Sequence, residues 1–246
     1  MFIFGITFFE ASISIPIVDV QAVPQPTIRL ATRVLRPFIN KSKYSVMNKK
    51  YYCLSFLIFS FSFLIARSGF AQSSMLKKGE AAPLFTAKAS LAGKEFDFSL
   101  KNALAKGSVV VYFYPSAYTG GCDAEAHAFA ELKDKFTAAG ATIIGVSADD
   151  IQRLNAFSSD SQYCAGKFPV ASDPGGEIAA KYGLTMSAAK SGIKDLRGQD
   201  LTHGFIPRTT FVIDKECKIE AVFSSETDHI SPTDHVEKSL AIVKGL

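Results

Sequence analysis

Runs of apolar residues broken by glycine and proline follow one another from about residue 72 onward, and their spacing predicts alternating strands and helices. Residues 109–114 form a continuous run of β-branched and aromatic side chains, which predicts a buried strand. Pro115, Gly120 and Gly121 end that run and predict a loop. Residues 123–139 then carry apolar side chains at helical spacing, so a helix is expected there. The apolar face of that helix consists of Ala126, Phe129, Leu132 and Phe136.

The same patterns place further elements on either side of this strand and helix. Strands are predicted at residues 81–85, 95–98, 142–147, 168–171, 209–213 and 219–224. Helices are predicted at residues 100–104, from 151 onward, at 177–182 and at 233–243. Asp149 is expected to cap the second of these helices, with Gln152 completing a capping box. Strands that alternate with helices and end in a hairpin indicate an α/β domain, with a central mixed sheet flanked by helices.

Residues 185–205 are the least regular part of this domain. The segment is polar and contains three glycines and three basic residues. This composition is typical of a solvated surface loop. The alternative is a loop that shapes access to Cys122 or contacts a partner.

The first 71 residues differ in charge from the rest of the chain. They hold 8 of the 27 Lys and Arg residues but only 2 of the 23 Asp and Glu residues. Residues 72–246 are therefore slightly acidic, and no nucleic-acid partner is expected. Apolar residues make up 48% of the chain, so one domain at residues 72–246 can bury a core.

A secretory signal peptide is predicted from Met47 to Ala71. Two lysines precede an apolar stretch at residues 51–66, and small residues stand at the −3 and −1 positions before Gln72. Met47 is accordingly interpreted as the true start, and residues 1–46 as an over-extended reading frame. The mature protein is then expected to be exported, either periplasmic or secreted. The open alternatives are an uncleaved membrane anchor and, because the leader is poor in acidic residues, an organellar transit peptide.

Cys122 lies between the predicted buried strand and the predicted helix, where its thiol would be activated. Unpaired backbone N–H groups and the positive end of the helix dipole stabilise a thiolate and lower its pKa. Gly120 and Gly121 would let backbone amides approach the sulfur. A thiolate placed in this way is a nucleophile. The alternative is a buried cysteine that acts as a small apolar side chain.

Four motifs, in order, resemble the peroxiredoxins. The sequence Pro115-x-x-x-Thr119-x-x-Cys122 is similar to the peroxidatic motif of that family, and Glu125 with the preceding strand resembles its Q-type, or bacterioferritin-comigratory-protein-like, branch. The other matching segments are residues 146–149, 168–173 and 208–214. The resemblance covers roughly residues 76–246. It implies a thioredoxin-like fold and a thiol-dependent peroxidase that reduces hydrogen peroxide and organic hydroperoxides.

The resemblance also implies a role for each matching residue. Cys122 would be the peroxidatic thiolate, which attacks a hydroperoxide and becomes a sulfenic acid. Arg208 would hold both the thiolate and the peroxide, and Thr119 would hydrogen-bond the peroxide. Pro115 would shield the sulfur from water, and the backbone amides of Gly121 and Cys122 would stabilise the negative charge of the transition state. Because the sulfur carries the redox change, no metal or other cofactor is expected.

Glu125 has two open interpretations, a partner for the helix dipole or a member of the Arg208 network. The resemblance fails five residues after Cys122, where many Q-type members carry a resolving cysteine and this chain has His127. Cys164, which is predicted at the C-terminal end of the helix that follows Asp149, is the substitute candidate. If Cys164 is passive, the enzyme uses one cysteine.

The remaining thiol and the partners complete this set of expectations. Cys217 is predicted to lie exposed in the turn of the C-terminal hairpin and to have no role in catalysis. A role for His127 in tuning the Cys122 thiol is a minor alternative to an ordinary polar helix position. The implied partners are a hydroperoxide substrate and a thioredoxin or similar thiol reductant, acting on a monomer or weak dimer.

Two other classes of protein are alternatives to this hypothesis. An exported thiol-disulfide or metal-delivery module of the same fold would need a second cysteine near Cys122, but neither Cys-x-x-Cys nor Cys-x-x-x-Cys occurs. Cys122 and His127 alone are too few ligands for a structural zinc site. A binding or chaperone-like protein that had lost its site would lack Thr119 or Arg208, and both are present.

Overall fold

A mixed seven-stranded sheet forms the centre of residues 74–246, the part of the chain that the computed structural model describes. Its strands are β1 (Thr86–Leu91), β2 (Lys94–Ser99), β3 (Ser108–Phe113), β4 (Ala141–Ser147), β5 (Val170–Ser172), β6 (Thr209–Ile213) and β7 (Ile219–Ser224). The helices are α1 (Leu100–Leu104), α2 (Gly120–Ala138), α3 (Ile151–Ser159), α4 (Glu177–Lys181), α5 (Ser225–Asp228) and α6 (Pro232–Val243). The predicted signal peptide and the rest of the leader lie outside the described residues. Within residues 74–246, no helix is both long and apolar enough to cross a membrane.

The strands follow the spatial order β2-β1-β5-β4-β3-β6-β7. Strand β3 pairs in parallel with β4 and antiparallel with β6, so that Val111 lies between Ile144 and Phe211. The helical crossover α2 connects β3 to its parallel neighbour, as parallel pairing requires. This arrangement confirms the predicted α/β class with a central mixed sheet flanked by helices.

Strand β3 is buried along its whole length because both faces of the sheet are covered. On one face, Val109, Val111 and Phe113 join a core that includes residues of α1 and α4. On the other, Val110 and Tyr112 join a core formed with α2, α3 and α6. Burying each large apolar side chain stabilises the fold by about 1.5–3 kcal/mol. The end of β3, from which the chain continues toward α2, is therefore fixed by packing on both faces of the sheet.

Helix α2 begins three residues earlier than the apolar pattern predicts. Gly120 is its first residue and Thr119 its N-cap, so Cys122 lies inside the first turn rather than before it. The helix is followed by Gly140, whose φ of 72° is the left-handed conformation expected after a helix C-terminus. The predictions for α1, α4, the β6–β7 hairpin and α6 agree with the structure to within one residue.

Two local predictions were wrong. In the predicted strand 81–85 only Ala81 forms a bridge, to Lys218, and the strand itself begins at Thr86. Asp149 does not cap α3; the N-cap is Asp150, whose carboxylate accepts a 2.7 Å hydrogen bond from the backbone N–H of Arg153. Asp149 is instead fully buried and points into the protein.

Candidate active site

The Cys122 side chain is only 2% exposed and lies against Arg208. Nη2 of Arg208 donates a 3.1 Å hydrogen bond to Sγ of Cys122. These residues are 86 positions apart in the chain. Helix α2, which follows β3, supplies the thiol, and the residue just before β6 supplies the guanidinium. Because β3 and β6 are neighbours in the sheet, the two groups meet at one end of it.

Glu125 holds the other side of the same guanidinium. Its fully buried carboxylate accepts a hydrogen bond from Nη1 of Arg208. Of the two interpretations of Glu125, the structure therefore supports membership of the Arg208 network. Burial raises the pKa of Glu125 to about 7, against the attraction of Arg208. The arrangement fixes Arg208 with one nitrogen on a carboxyl group and the other on the sulfur.

Because Gly121 has no side chain, this guanidinium can occupy the space beside it. A Cβ added at residue 121 would lie 3.2 Å from Nη2 of Arg208, which is tighter than most side-chain contacts, and 3.4 Å from Cγ of Pro232. At the preceding Gly120, an added Cβ would meet nothing within 4 Å. Gly121 therefore permits the close approach of Arg208, a role that differs from the one predicted for its backbone amide.

The loop before α2 contributes Pro115 and Thr119. The hydroxyl of Thr119 donates a 2.8 Å hydrogen bond to the carbonyl of Ser116, so its oxygen is left to accept a bond from another group. The backbone N–H of Cys122 donates to the carbonyl of Thr119 at 2.8 Å and is thus already paired within the first turn. Pro115 is half-buried at the start of the loop. Its role in shielding the sulfur stays a prediction.

The thiol of Cys122 is subject to opposing influences. Burial raises its pKa, whereas the charge of Arg208 and a hydrogen bond from the Ser116 backbone lower it, and burial is the larger effect. The sequence predicted a lowered pKa from the helix terminus alone. The difference arises because the sulfur is almost completely removed from water. Arg208 is consequently the main group that favours the thiolate.

A buried polar cluster around His235, which the sequence analysis did not identify, lies next to Glu125. His235 of α6 is fully buried, and its two ring nitrogens lie 2.9 Å from the hydroxyls of Thr210 and Ser225. Its Nδ1 is 4.0 Å from Oε1 of Glu125. Burial and the nearby charge of Arg208 lower the pKa of His235 to about 4, so the ring is neutral at pH 7. The helical pattern of α6 identifies residue 235 as inward-facing but does not indicate this role.

Cys164 lies in the turns that follow α3 rather than in the helix, because α3 ends at Ser159. It is fully buried, and burial raises the pKa of its thiol well above the usual value. Cys164 and Cys122 belong to the same apolar core, and both are free thiols. His127, on the exposed side of α2, bonds the carbonyl of Gln162 at 2.9 Å. It therefore contacts the segment that contains Cys164.

The prediction that Cys217 is exposed was wrong. It is half-buried, and its Sγ donates a 3.2 Å hydrogen bond to the carbonyl of Ala82. Its position in the β6–β7 turn, with a φ of 68°, agrees with the sequence analysis. The thiol thus helps to close the turn over the N-terminal segment of the domain.

Comparisons with known proteins identify the family to which the chain is similar. Residues 78–222 match the model of the AhpC/TSA family. The chain is 30% identical over 242 residues to chloroplastic peroxiredoxin Q of Populus jackii, which covers 96% of this chain and 100% of that protein. A putative peroxiredoxin of Mycobacterium tuberculosis is 33% identical over 58% of this chain and 82% of its own length. The crystal structure of peroxidoxin BcpB from the same organism has a TM-score of 0.55 and 29% identity, covering 70% of this chain and 98% of that one.

Proposed function

Since the chain belongs to the AhpC/TSA family and is a Q-type peroxiredoxin, a thiol-dependent peroxidase, we propose that Cys122 is its peroxidatic cysteine. The observation that supports this assignment is the 3.1 Å contact between Sγ of Cys122 and Nη2 of Arg208. A guanidinium in contact with a buried sulfur favours the thiolate, which is the nucleophile. Neither Cys164 nor Cys217 has an arginine contact of this kind in the described part of the chain.

The proposed reaction begins with the thiolate of Cys122. It attacks the terminal oxygen of the hydroperoxide, so that an S–O bond forms as the O–O bond breaks. The sulfur becomes a sulfenic acid, and the departing hydroxide or alkoxide takes up the proton that the thiol had released, leaving as water or an alcohol. Arg208 already points a donor at the reacting atoms, so it stabilises the negative charge that develops on the two oxygens.

Thr119 orients the substrate in this scheme. Because its hydroxyl hydrogen is directed to the carbonyl of Ser116, its oxygen accepts a hydrogen bond from the O–H of the hydroperoxide. That bond turns the terminal oxygen toward the sulfur. Pro115, half-buried beside the site, limits the access of water.

Peroxide consumption by purified domain 72–246, with a thiol reductant in excess, tests the assignment. Cys122→Ser is expected to abolish the activity and leave the fold intact. The matched control is Cys217→Ser, which removes a thiol outside the site and should keep the wild-type rate. Wild-type activity in Cys122→Ser would contradict the proposal.

The second proposal is that Cys164 resolves the sulfenic acid. The thiol of Cys164 would displace the sulfenic oxygen as water, forming a Cys122–Cys164 disulfide that a thioredoxin or similar dithiol then reduces. Both sulfurs lie in the core beside α2, which supports the pairing. A disulfide needs Cα atoms within about 7 Å of each other, and we propose that the first turn of α2 unwinds to bring the two cysteines together.

Peptide mapping after peroxide treatment, under non-reducing conditions, tests this pairing. The expected product is a peptide pair that joins Cys122 to Cys164, absent from Cys164→Ser and retained in Cys217→Ser. If Cys122 is found as sulfenic or sulfinic acid while Cys164 is free, the protein is a one-cysteine enzyme.

Location and assembly are the last parts of the proposal. The signal-peptide pattern at residues 47–71 supports export, whereas the chloroplast location in the name of the Populus relative supports the organellar alternative. N-terminal sequencing of protein from its native compartment distinguishes them, and a mature chain that begins near Gln72 is expected. We propose a monomer or weak dimer, since the described domain exposes few large apolar side chains. Sedimentation velocity measures this.

A further inference from the structure

The buried carboxylate of Asp149 holds the short segment between β3 and α2. Asp149 accepts hydrogen bonds from the hydroxyl of Ser116 at 2.7 Å and from the backbone N–H of Ala117 at 2.8 Å. It also accepts one from Ser147 at 2.7 Å, which fixes the carboxylate on its own strand. We call residues 116–118 the catalytic turn, because they lead directly into the N-cap Thr119 and the first turn of α2.

A second outside group holds the same turn. Nη2 of Arg153, on α3, donates a 2.6 Å hydrogen bond to the carbonyl of Ala117 and a 2.8 Å bond to the carboxylate of Asp195. Its Nε is paired with Asp149 at 2.9 Å. Asp149 and Arg153 thus satisfy both backbone polar groups of Ala117. Asp195 belongs to residues 185–205, the polar segment for which the sequence favoured a solvated surface loop.

That loop, residues 193–203, lies along the catalytic turn and is called the strap. The backbone N–H of Leu196 donates a 3.0 Å hydrogen bond to the carbonyl of Tyr118. The guanidinium of Arg197 lies over the Tyr118 ring, 3.2 Å from its centroid, and bonds Asp195 at 3.1 Å. Tyr118 has a φ of 59°, a left-handed conformation that costs an aromatic residue free energy and persists only when its surroundings impose it.

The far end of the strap is held by His203. Nδ1 of His203 bonds the carbonyl of Gly204 at 2.8 Å, and Nε2 bonds the carboxylate of Asp149 at 2.9 Å. Both partners only accept hydrogen bonds, so this geometry favours the imidazolium form, with a hydrogen on each ring nitrogen. Although burial opposes the charge, these two bonds raise the pKa of His203 above its usual value.

We propose that the strap, through Arg197, Asp195 and His203, positions the catalytic turn so that α2 begins at Gly120, with Thr119 as its N-cap, and Cys122 stays against Arg208. The strap residues do not touch the sulfur; they act through Asp149, Arg153 and Tyr118. This inference rests on the proposed role of Cys122 and goes beyond it, because it assigns a positioning function to a loop that lacks regular structure.

The strap should have opposite effects on two properties of Cys122, its reactivity with peroxide and the accessibility of its thiol. Attack on peroxide needs the closed arrangement, in which the thiolate lies against Arg208. Unwinding of the first turn, which the proposed disulfide requires, needs the catalytic turn to be released. Weakening the strap should therefore slow the reaction with peroxide and at the same time make the Cys122 thiol more accessible.

Arg197→Leu is the variant that tests this inference, since it removes the nearer of the two arginines at the Tyr118 ring and alters no group that contacts the sulfur; the other, Arg153, lies 5.3 Å from the ring centroid. Lys194→Leu is the matched control, because Lys194 lies in the strap but pairs only with exposed groups, including Asp200 at 2.8 Å. Two measurements are made on the full domain: hydrogen exchange of the Ala117, Cys122 and Asp123 amides, and stopped-flow reaction with hydrogen peroxide.

In Arg197→Leu we expect these amides to exchange about two- to fivefold faster, as for loss of a cation–π contact at an exposed arginine, while β3 amides stay unchanged. The peroxide rate should fall, and a bulky maleimide should label Cys122 faster. Arg197→Lys, which keeps a cation over the ring, should restore part of the protection. Lys194→Leu should match the wild type in every measurement.

Three results would overturn the inference: unchanged exchange in Arg197→Leu, equal changes in Lys194→Leu, or faster exchange throughout β3, which would indicate general destabilisation. Failure of the proposed function is separate and recognisable. In that case the wild type itself would not consume peroxide, and the exchange data alone would still decide whether the strap holds the catalytic turn.

Discussion

Replacing Gly121 by alanine tests how closely Arg208 must approach Cys122. The added Cβ would lie 3.2 Å from Nη2 of Arg208, and that nitrogen is itself 3.1 Å from Sγ. Nη1 is held by the buried carboxyl group of Glu125, and Pro232 lies on the other side of the new methyl group. The guanidinium can relieve the contact only by moving away, so we expect its bond to the sulfur to lengthen.

The size of the effect follows from the bond that is weakened. A hydrogen bond to a charged group contributes about 1.5–3 kcal/mol, and a change of about 1.4 kcal/mol alters a rate tenfold. Partial loss of the Arg208–Cys122 bond therefore predicts a fall of about tenfold in the second-order rate constant for peroxide. Alanine is favoured over glycine in a helix by about 1 kcal/mol, so stability should not fall in parallel.

Stopped-flow kinetics with hydrogen peroxide and urea unfolding give the two quantities. Gly120→Ala is the matched control: it makes the same substitution one residue earlier, where an added Cβ meets nothing within 4 Å. It should react at the wild-type rate and be slightly more stable. Equal peroxide rates for the two variants would refute the requirement for close approach at residue 121.

Two further predictions concern the groups around Cys122. Arg208→Ala should cost about 2–4 kcal/mol of transition-state stabilisation and raise the Cys122 pKa, which peroxide kinetics and the pH dependence of alkylation measure. His235 has its pKa lowered to about 4, so it stabilises the fold fully above its ordinary pKa of about 6.5, and this stabilisation is lost as the pH falls toward 4. The stability advantage of wild type over His235→Gln in urea unfolding should accordingly shrink by about 2–3 kcal/mol between pH 7 and pH 4, and a constant difference would contradict the neutral, buried ring.

Strand β3 and helix α2 could be predicted from the sequence because their patterns reflect burial directly. All six residues of β3 are buried, which matches a continuous apolar run. The start of α2 could not be predicted in the same way, since glycine is a poor helix former and Gly120 and Gly121 indicated a loop. A glycine suits position 121 because Nη2 of Arg208, far away in the chain, lies 3.2 Å from where a Cβ would be.

Strand β1 escaped prediction for a related reason. The inward-facing residues of Thr86–Leu91 include Ala87 and Ala89, which are too small to produce a clear apolar alternation. Two adjacent aspartates were equally undecidable at the start of α3. Either one satisfies the capping pattern, and only the positions of Ser116 and Ala117 explain why Asp149 is buried and its neighbour caps the helix.

The site likewise contains some residues that the sequence could identify and others that it could not. Cys122, Thr119 and Arg208 were identified through motifs that resemble a known family, and the structure brings Cys122 and Arg208 together. The rise in the Cys122 pKa depends on depth of burial, which no local pattern encodes. The strap lies within residues 185–205, for which the sequence favoured a solvated surface loop and left open a loop that shapes access to Cys122. The contacts of Asp195, Arg197 and His203 could not be predicted, because their partners are remote in sequence.

The measurement that tests the central claim most directly is the location of the first oxygen transferred from peroxide. Reduced domain is mixed with one equivalent of hydrogen peroxide, the sulfenic acid is trapped with dimedone, and peptides are analysed by mass spectrometry. To prevent disulfide formation from removing the product, the experiment is performed on Cys164→Ser. The account predicts the adduct on Cys122, at a yield that falls sharply in Arg208→Ala. An adduct mainly on Cys217, or a yield on Cys122 that is independent of Arg208, would contradict it.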